Sequence, residues 1–94
     1  MHVRVVRFSD VSAQRMEQLL ERVRSEGGPP EGVNTTGLKI LFDEDQGTAV
    51  VLQEFPTAQD LEGGAKVFSA MDPKDTPGTR LSVDACELKL ELET

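Results

Sequence analysis

Few side chains in this chain combine reactive chemistry with a position in which to use it. The only histidine, His2, carries an imidazole that titrates near pH ~6.5 and could act as an acid or base. It sits beside the terminus, where a structural or solvated role is the ordinary expectation. Arg4 and Arg7 interrupt the apolar run Val3-Arg4-Val5-Val6-Arg7-Phe8. They are an odd number of residues apart, so in a strand they face opposite sides, and one of them points inward. A buried guanidinium could grip a carboxylate or an enolate, whereas pairing with Glu54, Asp84 or Glu87 is the simpler expectation. Lys39 and Gln53 lie in similar apolar runs and could place polar heads in a cavity. The candidate cavity residues are therefore His2, Arg4, Lys39 and Gln53, with no catalytic residue assigned.

Other signals lead to no site. Asp43-x-Asp45-x-Gly47 resembles the opening of a calcium loop, and Glu54 stands at the twelfth position, but Thr48 to Gln53 between them reads as a continuous strand. A solvated hairpin turn is expected there, and no metal site. Cys86 has no Cys or His neighbours for zinc and no second cysteine for an intramolecular disulfide, so it reads as a small apolar residue in a reducing compartment. Gly63-Gly64 lacks the lysine and hydroxyl of a phosphate loop.

Charge narrows the partners. Ten Lys and Arg against seventeen Asp and Glu leave a net charge of -7, and the whole excess lies after residue 37, where five basic residues face twelve acids. Neutralising a phosphate backbone needs a basic face, so nucleic acid is not an expected partner. No apolar run approaches the ~18 residues that suggest a membrane span, and Met1 to Arg4 runs straight into a strand pattern. The expected location is the cytoplasm, away from membranes.

The elements that must position these residues are readable from periodicity and turn chemistry. Val3 to Phe8 is a first strand, rich in β-branched residues. Ser9 or Asp10 is expected to cap a helix of about four turns, with Ala13, Met16, Leu19, Leu20 and Val23 on its apolar face. Gly27-Gly28-Pro29-Pro30 ends it, and a loop runs to about Thr36. Leu38 to Phe42 and Thr48 to Phe55 form a hairpin around a polar loop that finishes at Gly47. Thr57 and Asp60 resemble a capping box for a second helix, whose apolar face is Ala58, Leu61, Ala65, Phe68 and Met71. Within that helix Gly63-Gly64 implies a kink or a close contact. After the turn-rich Asp72 to Gly78, Arg80 to Leu92 reads as one long strand. Its alternation changes phase, which predicts a bulge or bend near Cys86 and Glu87.

The order is β-α-β-β-α-β in a single domain over residues 1–94, an α+β ferredoxin-like fold with a four-stranded antiparallel sheet and two helices on one face. Apolar residues occur on both sides of the strands: Val50 and Leu52 oppose Ala49, Val51 and Phe55, and Val6 and Phe8 oppose Val3 and Val5. Two helices cover one face, so a second copy of the chain is expected to cover the other.

In this order and spacing the chain resembles the dimeric α+β barrel superfamily, in particular domains like the antibiotic biosynthesis monooxygenases. The resemblance covers nearly all 94 residues. It lies in the Val3 to Phe8 strand, the Met16-Leu19-Leu20-Val23 helix, the Thr48 to Phe55 strand and the closing Cys86-Glu87-Leu88-Lys89-Leu90. It implies a homodimer with a cavity for a small hydrophobic or aromatic ligand, and activities from cofactor-free oxygenation to haem degradation and isomerisation. Haem-degrading members place a histidine on the second helix, and residues 57–71 contain none, so no cofactor is expected. The absence of Tyr and Trp removes side chains that such oxygenases often employ. The expected function is ligand binding with monooxygenase-like activity; the alternative is a non-catalytic dimeric scaffold or stress-related accessory protein.

Overall fold

Strand β1 (His2–Ser9) forms the centre of the sheet, because its alternating apolar residues find partners on both edges. The computed structural model describes residues 1–70 and 76–94. Helix α1 (Ala13–Glu26) follows, then β2 (Gly37–Asp43), β3 (Thr48–Phe55), α2 (Ala58–Ser69) and β4 (Thr79–Glu87). The strands are antiparallel in the order β2-β3-β1-β4, the arrangement expected of a ferredoxin-like α+β fold. Met71 and Asp72 to Asp75, assigned above to the second helix and the turn-rich loop, lie outside the described residues.

The first helix starts later than its sequence implies. Ser9 still pairs with Thr79 in the sheet, and Asp10 adopts a left-handed φ of 55°. The Val11 amide donates to the Gly47 carbonyl at 2.9 Å, which ties this corner to the β2–β3 turn. Only then can Ser12 act as the cap, its hydroxyl accepting from the Arg15 amide at 3.1 Å. The helix ends as expected at Gly27, whose φ of 70° is left-handed. The second cap also matches the sequence: Thr57 Oγ1 accepts from the Asp60 amide at 3.1 Å and donates to its carboxylate at 2.8 Å.

The last strand requires two corrections. The register shift lies where β4 pairs with Arg7 and Phe8: Ser82 faces Arg7, Arg80 faces Phe8, and Leu81 is left over, 61% exposed. No bulge occurs at Cys86 and Glu87, which pair regularly with Val3 and His2. The strand also stops at Glu87, not Leu92: the last rung beside β1 is the Leu88 amide donating to the Met1 carbonyl at 2.9 Å, and no ladder pairing follows it among the described residues. Beyond it Leu88, Leu90 and Leu92 are exposed.

The buried apolar residues form two clusters. Val6, Phe8, Val11, Met16 and Ala49 pack beneath α1, with Leu19 and Leu20 against them. Val33, Phe55 and Leu61 pack beneath α2, with Val67 and Phe68 alongside. Val33 comes from the connecting loop, which is pinned by hydrogen bonds from the Thr36 amide and the Thr35 hydroxyl to the Glu54 carbonyl. The close contact expected at Gly63-Gly64 belongs to Gly64 alone. A methyl there would lie 2.7 Å from Cε1 of Phe55, which is fully buried, whereas one on Gly63 would meet nothing within 4 Å.

The two glycines should therefore respond with opposite signs. Gly64→Ala is expected to cost roughly 1–3 kcal/mol through overpacking, and Gly63→Ala to gain roughly 0.5–1 kcal/mol from helix propensity. Urea denaturation of both variants at one protein concentration checks this.

Candidate functional site

A cleft of about 940 Å³ opens between the helices and the sheet, and the gap between the two apolar clusters accounts for it. Its sheet wall carries Val6, Ile40 and Val51, its α1 wall Leu19 and Val23, and its far end Phe68 of α2. That volume falls in the range of small-molecule pockets, and so does the apolar lining broken by a few polar groups.

The polar groups are centred on one rung of the sheet. Arg4 of β1 and Gln53 of β3 are direct cross-strand partners, between the rungs Val6–Val51 and His2–Phe55. Both point to the helix side and both are buried, at 5% and 8% exposure. Arg4 Nη1 donates to Gln53 Oε1 at 2.8 Å, and the guanidinium carbon lies 5.5 Å from the centre of the Phe68 ring. Arg4 Nε is buried without an acceptor. No carboxylate pairs with this cation among the described residues, contrary to the simpler sequence expectation. The reason is geometric: Glu54 and Asp84 lie on the other face of the sheet, where they engage Lys39 and Arg7.

Burial pushes the Arg4 pKa down, and the positive charge of Arg80 pushes it further the same way. A cation whose folded pKa is depressed destabilises the fold at every pH below that value, and the penalty is relieved only as pH rises through it. At neutral pH the chain bears the whole cost. Arg22 and Arg80 also line the cleft, with Glu26 as the acid among the described lining residues. In a chain with a net charge of -7, three arginines and one glutamate thus line the cleft among the described residues.

Of the four candidate cavity residues, Arg4 and Gln53 come together here. His2 is half-buried at the start of β1 and does not line the cleft. Lys39 is exposed on the opposite face and hydrogen-bonded to Glu54. That bond, and then the charge of Glu54, raises the Lys39 pKa. The pair therefore supports the fold below the ordinary lysine pKa and loses its effect as pH rises through the raised value. Arg22, Arg80 and Phe68 were not among the candidates. Phe68 was legible only as a core residue, and the other two sit on elements whose facing depends on the helix start and the Leu81 register shift.

Elsewhere, Asp43 accepts from the Gln46 amide and side chain, both at 3.1 Å, and so holds the hairpin turn. Among the described residues no three His, Cys, Asp or Glu side chains converge as metal ligands, and no helix is long and apolar enough to cross a membrane. Cys86 is exposed.

The comparisons with known proteins give no lineage for this site: no family model, no curated protein and no solved structure matches the chain.

Because the Arg4–Gln53 rung is costly to bury, replacing both members at once should stabilise the chain. Arg4→Met with Gln53→Leu leaves no orphaned partner and is expected to raise stability by roughly 1–4 kcal/mol in urea denaturation. A loss of stability would show that the rung is a structural requirement of the sheet.

Proposed function

We propose that this chain is a small-molecule binding domain that works as a homodimer, with one ligand cleft per protomer between the helices and the sheet. The observation that carries the reading is the 940 Å³ cleft itself, apolar along its walls and provided with a buried polar rung at its base. A protein selected only as a scaffold gains nothing from leaving such a space unfilled, since close packing of that volume would stabilise it. This favours ligand binding over the scaffold alternative. Among the described residues the charged lining groups are arginines and one glutamate, without imidazole or phenol, so the reading is of binding, and monooxygenase-like chemistry is not part of it.

The pairing of two copies rests on the opposite face of the sheet. Val3, Val5, Leu41, Val50 and Leu52 lie there without a covering element, flanked by the Arg7–Asp84 and Lys39–Glu54 ion pairs. Leu88, Leu90 and Leu92 continue a strand pattern beyond His2–Glu87, the last β1–β4 pair. A two-fold partner answers both features: it stacks its own apolar face on this one and offers a strand to the overhanging tail. This is the arrangement of a dimeric α+β barrel, the superfamily that the chain resembles in element order.

Light scattering is expected to give twice the 10.3 kDa chain mass. Leu41→Glu, which places a charge on the exposed apolar face, should give a folded monomer. A wild-type monomer at all concentrations would refute the dimer.

A further inference from the structure

We infer that the ligand of the cleft carries a carboxylate, docked on the Nε/Nη2 edge of Arg4 and drawn in by Arg80, with an apolar or aromatic body lying along Val6, Ile40 and Val51. This rests on the cleft being a ligand site, and adds the chemical class of what enters it.

Three observations point to an anion and a fourth to the body that carries it. Arg4 is nine-tenths buried and has no counter-ion among the described residues. Its one hydrogen bond uses Nη1, and its Nε is left without an acceptor. A guanidinium offers two parallel N–H donors along its Nε/Nη2 edge, the fork that a carboxylate meets with both oxygens. Gln53 meanwhile holds the other edge and fixes the plane of the group.

The second observation is the neighbouring charge. Arg80 lies close enough for its charge to act on Arg4, and two like charges facing one cleft are unfavourable until an anion enters between them. Third, Phe68 stacks on the guanidinium, which supports a cation in the absence of its acid but supplies no acceptor for Nε. Fourth, the sheet and α1 walls beside Arg4 present Val6, Ile40, Val51, Leu19 and Val23, a surface that suits an apolar body, with hydroxyl and charged side chains elsewhere in the lining. A free inorganic anion would satisfy the arginines and leave most of the space empty.

Titration calorimetry with 2-naphthoate and its uncharged analogue 2-naphthalenemethanol tests this. The wild-type chain is expected to bind naphthoate at least tenfold more tightly. Arg4→Met, checked for folding by circular dichroism, should lose that preference while still binding the alcohol. Arg80→Ala, an exposed position, should weaken naphthoate alone and serves as the readout where Arg4→Met fails to fold. Equal wild-type affinities would overturn the carboxylate inference and leave the cleft as a binding site. Binding of neither compound would overturn both.

Discussion

The fold is organised around a buried cation that has no acidic partner among the described residues. Arg4 stands at the middle of the central strand, on the face covered by the helices, and is held by Gln53 on the next strand. An apolar pair at this rung would let the clusters beneath α1 and α2 merge into one core. With arginine and glutamine there, each helix seals its own cluster: Met16 closes one, and Leu61 closes the other beside Phe55. The space between them remains open. Cleft and core are thus two results of one placement, and the guanidinium, without an acidic partner among the described residues, carries the penalty of its burial.

The two faces of the sheet divide the work. Acids and bases of the open face neutralise one another in the Arg7–Asp84 and Lys39–Glu54 pairs, leaving an apolar field between them. The helix face differs: Arg4 and Arg80 share its cleft, and neither forms an ion pair among the described residues. Because alternate residues of a strand face opposite sides, this segregation is a matter of parity: Arg4 and Arg7 differ by three positions and therefore have different roles. Residues of the cleft face and of the open face can each be altered without touching those of the other.

Much of this was legible in the sequence. Period-two patterns, the Gly47 turn, the Gly27 stop and the Thr57 cap sufficed for the element order, since each is a local rule with a local cause. Parity alone also showed that one of Arg4 and Arg7 must point inward, but not which, because that depends on register across strands. The same uncertainty placed Lys39 beside Gln53 as a cavity candidate, although the β2–β3 pairing turns them to opposite faces. The final strand misled for another reason: its Leu88-Leu90-Leu92 alternation is real, yet alternation alone does not show whether a neighbour is there to pair, and the ladder with β1 stops at Leu88. Val33 escaped notice because a lone valine in a Pro- and Gly-rich loop carries no periodic signal.

The most direct measurement is the Arg4 Nε–Hε resonance in a nitrogen–proton correlation spectrum, followed as 2-naphthoate is added. Burial protects this proton from exchange, and its lack of an acceptor gives it a distinct starting position. The account predicts a saturable downfield proton shift, as the Nε–H gains a carboxylate oxygen, with backbone amides of Val6, Ile40 and Val51 moving in step. An Arg4 signal that stays fixed while residues of the open face respond would contradict it.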